Sequence, residues 1–98
     1  MLVPIAEHPY IYIERILTRE GPTTVSHNRA IFLYVTKIVT HSREFLLHQV
    51  YDMSYRRMGL EEGILYLHTN QGVFPYQVQT DPIKFIDEFK DLVKGARG

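Results

Sequence analysis

Asp81-Pro82 followed by Phe85, Ile86, Phe89, Leu92 and Val93 is the most constraining stretch in this chain. An Asp in the N-cap position accepts a hydrogen bond from an orphan amide, and a Pro at the first helical position has no amide to leave unsatisfied. The apolar residues then recur at three- and four-residue spacing, which makes one apolar stripe along a helix. Lys84 with Glu88 and Asp87 with Lys90 fall at pairing distance on the outer face, and Gly95 suits a left-handed helix end. The spacing therefore predicts a helix over 82–94. Whatever precedes it must offer that stripe a hydrophobic surface.

What precedes it has the period of strands. Tyr10–Arg19 is rich in β-branched and aromatic residues, with Ile11, Ile13 and Leu17 on one face and Tyr10, Tyr12, Glu14 and Thr18 on the other. Glu20-Gly21-Pro22 breaks it. Thr23–Val25 gives a short second strand, and Ser26-His27-Asn28-Arg29 has the chemistry of a turn. Ala30–Thr40 is apolar on both faces, as in a central or covered strand. Phe45–Tyr55 reads as a strand kinked near Tyr51-Asp52, with Val50 and Met53 buried on either side; a helical stripe through Phe45, Leu46, Leu47, Val50 and Met53 is the alternative. Arg56–Glu62 is a polar loop. Ile64–Thr69 and Phe74–Val78 form a hairpin across Asn70-Gln71-Gly72, with Pro75 marking an edge or a bulge because it cannot donate to a ladder. Residues 1–9, with Pro4 and Pro9, form an irregular lead-in. The expected architecture is α+β and mostly β: a bent antiparallel sheet or partly open barrel, capped by one C-terminal amphipathic helix.

Size and charge narrow the function. A chain of 98 residues has room for one domain over 1–98. Lys plus Arg and Asp plus Glu number 11 each, so the net charge is zero. That excludes binding nucleic acid through bulk electrostatics and mildly favours self-association into a homo-oligomer. The absence of cysteine excludes disulfides, thiolate nucleophiles and cysteine-ligated metals. The start MLVPIAEHPY lacks a basic region followed by a long apolar core, and no apolar run reaches bilayer length. A cytoplasmic location and no transmembrane segment are expected.

The order of elements resembles the small bacterial pleckstrin-homology-like (PH-like) domains. Ser26-His27-Asn28-Arg29 precedes the apolar Ala30-Ile31-Phe32-Leu33, and Val50-Tyr51-Asp52-Met53 provides an acidic–aliphatic step. Gly63-Ile64-Leu65-Tyr66-Leu67 and Asp81-Pro82-Ile83-Lys84-Phe85-Ile86 complete the likeness. The resemblance covers the chain from about Tyr10 onward; the departure is a second strand shorter than in a seven-stranded barrel. It implies a binding scaffold of unassigned ligand and no cofactor.

Chemistry-bearing residues support no sharper reading. His8, His27, His41, His48 and His68 show no helical or finger spacing, although a sheet could bring His48 and His68 together. Ser54 or Ser26 with a histidine, and Asp52 with His48, lack any nucleophile or phosphate-loop motif around them. Neither a catalytic nor a metal site is expected. Seven tyrosines without tryptophan point to a protein-binding surface, since Tyr is enriched at interfaces. The expected surface is Tyr51, Asp52, Tyr55, Arg56 and Arg57, taking a protein partner or a second copy. The alternative is an anionic lipid or phosphate held by Arg56 and Arg57, because guanidinium groups bind phosphate bidentately.

Overall fold

The computed structural model describes residues 3–97. Seven strands and one helix follow in order: β1 (Ala6–Thr18), β2 (Gly21–Leu33), β3 (Lys37–Val39), β4 (Glu44–Leu46), β5 (Val50–Arg57), β6 (Gly63–Thr69), β7 (Gly72–Val78) and α1 (Ile83–Arg97). The strands make one antiparallel sheet in the order β4-β3-β2-β1-β7-β6-β5, and the sheet does not close into a barrel. This order with a terminal helix is compatible with a PH-like fold. No helix among the described residues is long and apolar enough to cross a membrane.

Two hairpins share one turn. In Thr18-Arg19-Glu20-Gly21 the Thr hydroxyl donates to the Gly carbonyl at 2.9 Å and accepts the Glu20 amide at 3.3 Å. Thr69-Asn70-Gln71-Gly72 repeats this at 2.8 and 3.0 Å. Both glycines have positive φ, 115° at Gly21 and 124° at Gly72, a conformation a side chain resists. The first turn does more than break a strand. It folds β1 back on β2 in a continuous register from Ala6↔Leu33 to Thr18↔Gly21.

The sheet corrects several sequence expectations for one reason: pairing to a neighbour overrides local turn chemistry. Ser26–Arg29 is no turn, because each residue has a partner on β1, so Thr23–Val25 and Ala30–Leu33 belong to one strand. That strand ends at Leu33, and the tight turn closed by Tyr34 N–H to Lys37 C=O places Ile38 opposite Leu33. Ile38 therefore joins Ile31 and Leu33 in the core, and Val35 is exposed in the turn. Ala6 to Pro9 belong to β1, leaving residues 3–5 as the irregular lead-in; residues 1–2 lie outside the described set. Phe45–Tyr55 resolves into β4, a single 3₁₀ turn at Leu47–Gln49 and β5, with a bulge between Val50 and Asp52 where the kink was expected. Arg56 and Arg57 end β5 and are not loop residues. Gly95 does not end the helix, which runs through it to Arg97.

The core lies on the inner face. It gathers Ile31, Leu33, Ile38, Phe45, Val50, Met53, Leu65, Leu67 and Val78 from the strands with Phe85, Ile86 and Phe89 from α1. Leu92 and Val93 pack at its margin. The cap is formed as expected: the Ile83 N–H donates to Asp81 Oδ1 at 2.9 Å, and Pro82 is buried. Lys90 approaches Asp52 on β5 at 3.9 Å, so α1 also meets the sheet through a rim charge pair. In β1 the buried face is the tyrosine face, headed by Tyr10, while Ile13 and Leu17 are exposed.

His8 is buried under the helix start. Its Nε2–H donates to the Thr80 carbonyl at 3.1 Å, and its ring lies 6.3 Å from Phe85. Burial lowers its pKa below 6.5, outweighing the Thr80 carbonyl and the Asp81 carboxylate, which raise it. A histidine held neutral in the fold and free to protonate when unfolded stabilises the protein above its unfolded pKa. That contribution is lost as pH falls below about 6.5 toward the folded value. Stability measured by denaturant melts should thus decline between neutral and mildly acidic pH in the wild type, and less steeply in His8→Gln. Phe89→Ala should cost about 3–5 kcal/mol, against a total stability of about 5–15 kcal/mol; the shift of the urea midpoint measures it.

Candidate functional site

The sheet has one weak seam. A two-residue loop is flanked by a hydrogen-bonded pair, so Thr18↔Gly21 and Thr69↔Gly72 set the phase of both hairpins. Counting in twos from those pairs, even-numbered β1 residues bond to β2 and odd-numbered ones turn their main chain toward β7. On β7, Val73, Pro75 and Gln77 likewise turn theirs toward β1. Yet β1 and β7 pair only at Ile11↔Gln77 among the described residues. The neighbouring rungs would use residues 9 and 75, and both are proline. A proline has no N–H to give, so the ladder stops on either side of one rung.

Beyond that rung the two strands part. β1 and β2 continue as a two-stranded arm, which gives the molecule a long axis of 55 Å against 31 and 27 Å across. A groove of about 570 Å³ opens between the arm and β7. Because it lies at a gap in the sheet, it has walls from both faces. The inner wall carries Tyr10, Tyr12, Phe74 and Tyr76 with His41 and Arg43 from the β3–β4 turn. The outer wall carries Ile11, Ile13, Met58, Ile64 and Pro75, with Glu62 at its rim.

The inner wall is an ordered aromatic row. Tyr76 meets Tyr10 edge-on with centroids 5.0 Å apart. The Tyr10 oxygen accepts the His41 main-chain N–H at 3.2 Å, and the hydroxyl is hydrogen-bonded to His41 Nδ1 at 2.6 Å. His41 in turn lies 4.2 Å from Tyr12, and Tyr12 stacks on His27 at 5.8 Å. His27 Nε2 is 3.0 Å from Glu14 Oε1, which ties the two strands of the arm together. At the other end the Arg43 guanidinium lies 4.5 Å over Phe74, which packs on Phe45. No carboxylate among the described residues lies within 4.0 Å of Arg43. Burial pushes the Tyr76 hydroxyl above its ordinary pKa, against the lowering effect of its Thr40 hydrogen bond. The phenol is therefore neutral at physiological pH.

The residues singled out in the sequence lie elsewhere, along β5. Tyr51 is exposed at the bulge, and Asp52 is exposed and faces Lys90. Tyr55 donates its hydroxyl proton to the Glu61 carbonyl, and Arg57 Nε–H donates to the Gly59 carbonyl at 3.0 Å. Both clamp the β5–β6 loop. Successive strand residues point to opposite faces, so Arg56 and Arg57 diverge and do not form a two-pronged phosphate clamp. Nor do His48 and His68 come together. His68 meets Ser54 Oγ at 2.7 Å across β5 and β6, whereas His48 is exposed in the 3₁₀ turn. No group of three or more potential metal ligands occurs among the described residues.

Sequence reasoning thus missed the groove, although two signals for it were present. Pro9 and Pro75 flank residues of equal phase, and the Thr-x-x-Gly turn that fixes the phase occurs twice. Comparison with known protein families and with curated proteins finds no match to this chain.

Restoring the missing donor tests the origin of the gap. In Pro75→Val a new amide faces Ile13, so amide hydrogen exchange at Ile13 should slow relative to the wild type, and the new amide at position 75 should be protected, as the ladder extends by one rung. Exchange at Ile13 as fast as in the wild type, with no protection at position 75, would show that something other than proline holds the strands apart.

Proposed function

We propose that this chain is a non-enzymatic PH-like binding module for a protein partner, and that the groove between β1 and β7 is its working surface. The observation that carries this reading is the interrupted ladder. Two prolines leave main-chain edges open beside an aromatic wall, in a volume within the roughly 300–1,000 Å³ typical of ligand sites. Tyrosine on such a wall offers a large, rigid contact area with a polar tip, the combination enriched at interfaces. Tyr12 packs at the margin of the core while its ring, 4.2 Å from His41, faces the groove. The exposed β5 residues Tyr51, Asp52, Arg56 and Arg57, with the half-buried Tyr55, would then flank the binding event or take no part in it.

Three immobilised baits test the assignment: wild type, Tyr12→Ala and the double variant Arg56→Ala/Arg57→Ala, each checked for folding by circular dichroism. A specific partner should be held by the wild type and the double-arginine variant and lost from Tyr12→Ala. Loss from the double-arginine variant alone would move the working surface to β5. Light scattering across a concentration series covers the case in which the partner is a second copy, since Tyr12→Ala should then abolish the dimer.

A further inference from the structure

We infer that the groove takes its partner as an added β-strand, an extended segment whose residues alternate between acidic and aliphatic side chains. The inference rests on the binding-module reading above and specifies its mode.

The gap has the properties of an unoccupied strand position. The phase of the β1–β2 hairpin turns the N–H and C=O groups of Ile13, Arg15 and Leu17 toward β7, which supplies no partner for them. These residues span roughly 13 Å of strand at about 3.3 Å per residue. Opposite them β7 presents the Val73 main chain and the Pro75 carbonyl. Exposed strand edges are templates for another chain, and proteins blunt them with bulges, prolines or a covering element. Here Pro75 blunts only the β7 side, and no described element covers the β1 side. A third strand would satisfy these main-chain groups and rejoin the sheet.

The walls state what such a strand must carry. Side chains of an added strand alternate between the two faces of the sheet. Those pointing inward meet Tyr12, Phe74, His41 and Arg43. Arg43 has no carboxylate among the described residues within 4.0 Å, so an inward acidic residue would complete its charge. Its planar guanidinium suits a carboxylate bidentately. Those pointing outward meet Ile11, Ile13, Ile64 and Met58, which call for aliphatic side chains. Charge complementarity thus selects an acidic–aliphatic alternation over a basic one.

The test uses fluorescein-labelled short peptides alternating Glu with Val or Lys with Val, titrated into the intact chain and followed by anisotropy. The Glu/Val peptide should bind, and bind tighter than the Lys/Val peptide by tenfold or more. Arg43→Glu should reverse the order. On binding, amide exchange at Ile13 and Arg15 should slow. Glu/Val peptides methylated on alternate amides, in each of the two frames, should lose about tenfold in at least one frame. Full affinity in both methylated frames, or unchanged exchange at Ile13 and Arg15, overturns strand addition while leaving the groove as a binding surface. Absence of Glu/Val binding overturns the stated chemistry, and the bait experiment decides the binding-module reading by itself.

Discussion

The packing of Phe85, Ile86 and Phe89 against the inner face of the sheet is the interaction on which the rest of this structure depends. A single sheet with one apolar face cannot bury that face alone, and this one does not curl far enough to close on itself. The helix supplies the second layer. It is aimed by Asp81 and Pro82, steadied at its start by the His8–Thr80 contact, and tied to β5 by Lys90 and Asp52. With one end of the inner face covered, the strands need not complete the barrel to form a core. That freedom is what allows a seam between β1 and β7.

The seam runs against local stability. Each missing rung forgoes a main-chain hydrogen bond, whose net contribution is about 1 kcal/mol. A two-stranded ribbon beyond it is marginal in water by itself. The arm compensates with cross-strand contacts of its own, chiefly the Tyr12–His27 stack and the His27–Glu14 pair. Those same contacts build the aromatic wall. The features that steady the arm and the features that offer a surface are therefore one set of side chains, extending the inner-face tyrosine row past the end of the core.

Much of the fold was legible locally. Alternation placed Leu65 and Leu67 together on a buried face and Phe74, Tyr76 and Val78 together on the matching face of β7. The bulge beside Tyr51 and the cap at Asp81 were also visible from residue type. The errors had a common cause. Ser26–Arg29 looks like a turn because Ser and Asn can bond their own backbone, yet a full partner strand offers those backbones better hydrogen bonds. Gly95 looks like a helix end because glycine tolerates a left-handed conformation, but tolerance does not impose it. Arg56 and Arg57 look like a pair because they are adjacent in sequence, and a strand sends adjacent side chains apart.

The sequence by itself determined the mostly β composition of the fold, the capped terminal helix with its apolar stripe, the absence of cysteine chemistry and the neutral charge balance. These follow from periodicity and residue type, which act over a few residues. Only the tertiary structure decided which face of β1 is buried, where the sheet is interrupted and which aromatics line the gap. The reason is that β1 and β7 come from opposite ends of the chain. Pro9 and Pro75 acquire their meaning only when the fold sets them on facing edges, one on each side of a single rung.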